Sequence, residues 1–173
     1  MTREDFGMLV GEITDDEKKK ADEEIREQQK QIDYDTKDYT IERLVQKFEK
    51  NDFFIPDYQR ALMWGNANKN LFIESVLLGL PISLMFFADC KDGKQEIIYG
   101  AQRIQALVEF TKGNLQIQGL KKLKHVNGFK FHDLSEMQRR KFLNRTLRIV
   151  VLGENTPVSS RRELFYRINT AYV

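Results

Sequence analysis

Hydrophobic and polar positions along the chain follow two periods. Between Thr40 and Lys50, Ile41, Leu44, Val45 and Phe48 recur at helical spacing, which gathers them on one face. Thr40 carries the hydroxyl an N-cap needs. Phe53-Phe54-Ile55-Pro56 predicts an extended segment, because proline keeps the residue before it out of the helical region. A second helix is expected over 66–78, with Leu71, Ile73, Leu77 and Leu78 largely apolar. Gly79 stands where a left-handed residue closes such a helix, and Pro81 prevents its continuation.

Residues 84–88 and 95–99 predict two strands joined by Lys91-Asp92-Gly93-Lys94. Asp-Gly supplies the positive φ of a hairpin turn. A helix is expected from about Gln102 to Thr111, ending at Gly113, since glycine favours helix C-termini. Residues 114–120 alternate as an edge strand would. Ser135 and Gln138 open a capped helix through Leu143. Residues 146–152 predict a buried strand. Thr156-Pro157 has the form of an N-cap followed by proline at the first helical position, and a last helix runs through Glu163, Phe165 and Ile168. Helices mixed with a hairpin predict an α+β domain rather than a doubly wound parallel sheet.

The first 38 residues read differently. Over 14–33, Thr14 and Glu17 have capping-box spacing, and Ala21, Ile25, Gln28 and Ile32 form a thin seam. Two isoleucines are too few for a coiled coil, which takes three or four heptads. A solvated, charged helix is the expectation.

Charge sharpens this division. Residues 1–38 hold 13 Asp and Glu against 7 Lys and Arg, whereas residues 39–173 hold 21 Lys and Arg against 13 Asp and Glu. The net charge of +2 therefore conceals an acidic arm and a basic body. A basic body favours polyanionic partners. The single cysteine, Cys90, excludes a disulfide framework and a Cys-x-x-Cys metal site. His125 and His132 lie too far apart for a zinc motif, so no metal site is expected. No apolar run spans a membrane and no signal peptide is evident, which makes a cytoplasmic protein the default.

Three segments carry candidate chemistry. Asp57, Tyr58, Gln59 and Arg60 follow Pro56, and the only tryptophan, Trp64, comes four residues later. Arg60 suits bidentate phosphate contact. Trp64 could stack a base, or serve as a core aromatic while Arg60 pairs with an acid. Next, the apolar strand ending Tyr99-Gly100 runs straight into a helix. Its free N–H groups and dipole can cradle an anion, with Gln102 and Arg103 adding donors and Gly100 admitting a close approach. An ordinary strand-to-helix turn is the alternative. Lastly, Phe165 and Ile168 pack at helical spacing, which leaves Arg167 and Asn169 for a site or for solvent.

A basic stretch over 121–148 includes Lys121, Lys122, Lys124, Lys130, Arg139, Arg140, Lys141, Arg145 and Arg148. It can follow a nucleic-acid backbone or be a solvated face. Its aromatic residues, Phe129, Phe131 and Phe142, are sparse for single-strand stacking.

Taken in order, these pieces resemble one family. Ile55-Pro56-x-Tyr58-Gln59-Arg60 with Trp64, Glu74-Ser75, Leu78-Gly79-Leu80-Pro81-Ile82, Gly100-x-Gln102-Arg103 and Phe165-x-Arg167-Ile168-Asn169-Thr170 are similar to the domain of unknown function 262 family of the ParB/sulfiredoxin-like superfamily. The resemblance covers about residues 38–170. It implies a mixed sheet with a central hairpin and surrounding helices, here preceded by the charged helix. It also implies the N-terminal half of GmrSD-type modification-dependent restriction proteins, with nucleotide binding and hydrolysis that control a separate nuclease domain.

The family's central motif reads Asp-Gly-Gln-Gln-Arg, and this chain has Tyr99-Gly100-Ala101-Gln102-Arg103. A phenol replaces the acid, and a neutral phenol neither holds a metal nor acts as a base as a carboxylate does. The expectation is a nucleotide- or nucleic-acid-phosphate-binding regulatory domain in DNA metabolism or phage defence, impaired in hydrolysis. Tyr58, Gln59, Arg60, Tyr99, Gly100, Gln102, Arg103, Arg167 and Asn169 would form the pocket. Asp57 is the nearest surviving acid for catalysis. The implied ligand is a nucleoside triphosphate with a divalent cation. The implied partners are DNA, a separate nuclease subunit or a second copy. Two alternatives stand beside this: an active triphosphatase using Asp57 or Glu74, and a non-catalytic interaction module whose acidic arm mimics nucleic acid. The chain ends soon after Asn169-Thr170 with no nuclease motif, as a stand-alone member or as part of a longer protein.

Overall fold

The computed structural model describes residues 11–59 and 63–171. The chain divides into two units between Asp33 and Tyr34. In the first unit, helix α1 spans Asp15–Gln29 and buries none of its residues. Its capping box is complete: Thr14 N donates to Glu17 Oε2 at 2.7 Å, and Glu17 N donates to Thr14 Oγ1 at 3.3 Å. The backbone hydrogen bond from Thr14 holds the Glu17 carboxyl below its usual range. Ion pairs Asp15–Lys18, Asp16–Lys20 and Glu27–Lys30 line its surface. Local terms of this kind, not packing, make this helix.

The second unit is a mixed α+β domain around a five-stranded sheet. Its strands are β1 (Tyr34–Thr40), β2 (Phe53–Phe54), β3 (Met85–Asp89), β4 (Gln95–Tyr99) and β5 (Thr146–Leu152), in the order β1-β5-β3-β4-β2. The helices are α2 (Ile41–Glu49), α3 (Asn66–Leu78), α4 (Ala101–Thr111), α5 (Glu136–Asn144) and α6 (Val158–Ala171). β3 and β4 form the expected hairpin, with Gly93 at φ 81° in its turn. β3 runs parallel to β5, and β2 parallel to β4.

Strand alternation sends the two sheet faces into different layers. Met85, Phe87, Ile97, Ile149 and Val151 point into the main core, where they meet Leu44, Ile73, Ile104, Leu107 and Phe110 of α2, α3 and α4. Ala88, Ile98 and Leu152 point the other way, against Leu164 and Phe165 of α6. Fully burying one such large side chain is worth about 1.5–3 kcal/mol. The caps expected at Thr40, Gly79 and Ser135 are present.

Three local expectations differ from the structure. β1 takes residues 34–38, which the charge pattern groups with the arm, and pairs them antiparallel with β5 from Tyr34↔Leu152 onward. Residues 114–120 form no strand. Leu115 and Ile117 are buried as alternation requires and Leu120 is buried out of that phase, but among the described residues the backbone of Ile117 bonds only to the loop at Gly128 and Phe129. Thr156 does not cap α6: its hydroxyl is buried and has no hydrogen-bond partner among the described residues.

Candidate phosphate-binding site at the start of helix α4

β4 ends at Tyr99 and α4 starts at Ala101, so the chain turns within one residue. Gly100 makes that turn at φ 111°, in the left-handed region. A Cβ here would lie 2.5 Å from Met85 Cγ and 2.8 Å from its Sδ. Glycine is therefore required by packing against the buried Met85 as well as by its own dihedral, and not only for ligand access. Gly100→Ala is expected to destabilise the fold by about 1–3 kcal/mol through overpacking and backbone strain. Urea denaturation checks this, and an unchanged midpoint would contradict the assigned role.

A pocket of ≈270 Å³ opens over this turn. The motif contributes Tyr99, Gly100, Ala101, Gln102 and Arg103. Gln59, Met63 and Trp64 come from the preceding loop, and Phe165 and Asn169 from α6. Segments more than 100 residues apart in sequence thus share one cavity. The first N–H groups of α4, on Ala101 and Gln102, have no partner among the described residues, whereas those of Arg103 and Ile104 bond to the Gly100 carbonyl. Free N–H groups at a helix N-terminus favour an anion.

Each lining residue has a traceable support. Gln59 is buried, and its amide donates to the carbonyls of Ile97 and Ile98, pinning the loop onto β4. The Gln102 side-chain oxygen accepts from Trp64 N at 2.8 Å. The Trp64 ring packs edge-on to Phe72 at 5.7 Å and also lines the pocket, so it is at once a core aromatic and a wall. Asn169 donates to the Phe165 carbonyl at 2.7 Å.

Arg103 is the cation of the site. Its guanidinium donates to the Ser83 carbonyl at 2.8 Å and reaches the Tyr99 hydroxyl at 3.5 Å. It lies over the Tyr99 ring at 5.2 Å from the centroid. Burial pushes its pKa down from the ordinary arginine value, and Tyr99 opposes that. No carboxylate pairs with it among the described residues. A partly desolvated cation met only by neutral groups is receptive to an anion.

Other expected site residues stand elsewhere. Tyr58 does not line the pocket; its hydroxyl donates to Glu96 Oε1 at 2.5 Å. Burial, followed by the hydrogen bond and charge of Glu96, raises the Tyr58 pKa well above its ordinary value. Asp57 lies in the short 3₁₀ turn Asp57–Gln59 and is not a lining residue. Arg167 pairs with Glu163 at 2.6 Å on an exposed face of α6, away from the pocket. Glu74 is buried in a different cleft, accepting from Lys122 N and Leu123 N. Arg60 lies outside the described residues.

The basic stretch separates into two groups. Arg140, Lys141 and Arg145 line a cleft of ≈750 Å³ between the end of α3 and α5. Lys121 and Lys122 border the other cleft. Arg140 pairs with Glu136, Arg139 donates to the His132 carbonyl, and Arg148 pairs with Asp38 across β1 and β5.

One buried cluster was not anticipated. Glu96 and Arg161, 5% and 6% exposed, form an ion pair at 3.0 Å between β4 and α6. Arg161 also donates to the carbonyls of Asp89, Glu154 and Thr156 and reaches Cys90 Sγ at 3.5 Å. Desolvation pulls its pKa down, but Glu96 and Cys90 outweigh this and leave it raised. The sequence signal was a glutamate directly before the apolar pair Ile97-Ile98 of a buried strand.

The architecture is thus an α+β domain with a pocket at the central strand-to-helix turn. A scan against protein-family models matches residues 41–173 to the GmrSD restriction endonuclease, N-terminal domain. The chain belongs to that family, which gives it a restriction-system role in phage defence. Comparisons with curated proteins and with solved structures found no match. No helix among the described residues is long and apolar enough to cross a membrane.

Proposed function

We propose that the pocket at the start of α4 binds the phosphate of a nucleotide and that the domain is a cytoplasmic regulator of a nuclease subunit, with little or no hydrolysis of its own. The observation that carries this reading is Arg103, partly desolvated and, among the described residues, without a carboxylate partner, beside the N–H groups of Ala101 and Gln102, which have no partner among those residues either. Trp64, Tyr99 and Phe165 add aromatic rings to the lining, the residue type on which a base stacks. The resemblance to the ParB/sulfiredoxin-like superfamily, and the nucleotide binding that this resemblance implies, fit this arrangement.

A divalent cation does not fit the donor set. The described lining residues include amides, a phenol and a guanidinium, but no carboxylate. Magnesium sites rely on one or two carboxylates together with the substrate phosphates. Glu96, three positions before Tyr99 on β4, is committed to Tyr58 and Arg161. This composition supports a reading of binding without turnover.

Titration calorimetry with each of the four nucleoside triphosphates tests the reading. Arg103→Ala is expected to weaken binding about tenfold or more, because charge-assisted hydrogen bonds are worth about 1.5–3 kcal/mol. Lys122→Ala, on the other cleft, should leave affinity unchanged. Equal affinities of the two variants would remove Arg103 from the site.

The cleft lined by Arg140, Lys141 and Arg145 supports a second contact, with the DNA backbone. If these residues neutralise phosphates, the slope of log affinity against log salt should be near −0.9 per phosphate on duplex DNA. Charge reversal at Arg139, Arg140 and Lys141 should flatten that slope. Absence of binding at about 50 mM salt, where such contacts are strong, would return this stretch to a solvated face.

A further inference from the structure

The remaining cleft has a different character. It holds ≈710 Å³ between one face of α3 and the segment Gln118–Lys122. Leu71, Leu78 and Leu80 line it and stay exposed, Leu71 at 63%. Isolated exposed leucines need no explanation, but a contiguous apolar groove marks an interaction surface.

Two features say what fits there. The first is an unused backbone edge. Ile117 bonds through both its N–H and its C=O to Phe129 and Gly128. In an extended segment the next residues turn their N–H and C=O to the opposite edge. Those of Gln116 and Gln118 have no partner among the described residues. The second is Asn70, 8% exposed, which lines the cleft with its side-chain oxygen buried and unbonded. A buried acceptor without a donor is costly, and a rotation of the Asn70 side chain toward the cleft would let an N–H from outside satisfy it. At the rim stand Lys121 and Lys122. The only acid of the lining among the described residues, Glu74, is already engaged by two backbone N–H groups.

We propose that this cleft docks an extended peptide segment of a partner protein, in which apolar and acidic side chains alternate. Its backbone adds alongside Gln116–Gln118, one N–H meets Asn70, its apolar side chains enter between Leu71 and Leu78, and its carboxylates face Lys121 and Lys122. Strand addition of this kind takes affinity from main-chain hydrogen bonds and specificity from alternate side chains. Nucleic acid is the poorer occupant, because a phosphate backbone brings no row of N–H donors to the unpaired carbonyls.

Selection from a displayed library of random eight-residue peptides against the full chain tests this. Selected peptides are expected to alternate apolar and acidic residues and to shift the amide resonances of Gln116, Gln118, Leu71 and Lys121. Leu71→Asp, at an exposed position, and the pair Lys121→Glu with Lys122→Glu should each weaken them about tenfold or more, as loss of a central anchor does. N-methylation of alternate peptide amides should abolish binding. A selected pool without that alternation, binding unaffected by both variants, or a DNA duplex shifting the same amides where peptides do not, would overturn the proposal.

Discussion

Arg161→Met is expected to destabilise the domain by about 3–5 kcal/mol, the cost typical of removing one member of a buried ion pair. Arg161 is 6% exposed and spends its donors on Glu96 and on the carbonyls of Asp89, Glu154 and Thr156. Its loss strands the Glu96 carboxylate between β4 and α6 with only the Tyr58 hydroxyl to meet it. Glu96→Leu combined with Arg161→Met should recover much of the loss, since replacing both charges by apolar groups is often neutral. Chemical denaturation of the two variants checks this. A single variant within about 0.5 kcal/mol of the natural protein, the range of ordinary surface substitutions, would mean that the pair is not buried as described. Because α6 also supplies Phe165 and Asn169 to the pocket, the same variant should weaken nucleotide binding.

Tyr99→Asp is expected to create or raise nucleotide hydrolysis relative to the natural chain. The phenol stands at the end of β4, in contact with Arg103 and with its ring near Phe86. A carboxylate there adds a charged, metal-binding oxygen that the described lining does not offer. Positioned acid or base groups contribute about 10² or more in rate, so magnesium-dependent phosphate release should rise by that order. Ala101 is buried, so Ala101→Gln must send its side chain into the pocket and belongs in a second variant rather than the first. Brisk turnover by the natural protein, insensitive to Tyr99→Phe, would show that another residue supplies the missing chemistry.

Much of this fold was legible because its signals are local. Thr14 with Glu17, Thr40, Gly79, and Asp92-Gly93 are each short-range devices, and each appears where its spacing required. β1 was missed because Asp35, Lys37 and Asp38 charge an exposed edge strand, so no apolar alternation betrays it. Residues 114–120 misled for the converse reason. Alternation reports burial on one side, and Leu115 and Ile117 are indeed buried, but it does not say whether a neighbouring strand exists. The pocket was legible as a set of ordered motifs, of which Gln59, Tyr99, Gly100, Gln102, Arg103 and Asn169 come together. Tyr58 and Arg167 do not join them, because each found a nearer carboxylate, Glu96 and Glu163. Met63 and Phe165 as pocket walls, and the Glu96–Arg161 pair, depend on tertiary contacts with no sequence spacing of their own.

The central claim is that an anionic ligand sits on the first turn of α4. Amide chemical shifts recorded while the natural protein is titrated with a nucleoside triphosphate, in buffer containing a chelator, test it most directly. The account predicts saturable shifts at Gly100, Ala101, Gln102 and the Trp64 indole, without release of phosphate. Shifts confined to other surfaces, or none at millimolar ligand, would contradict it.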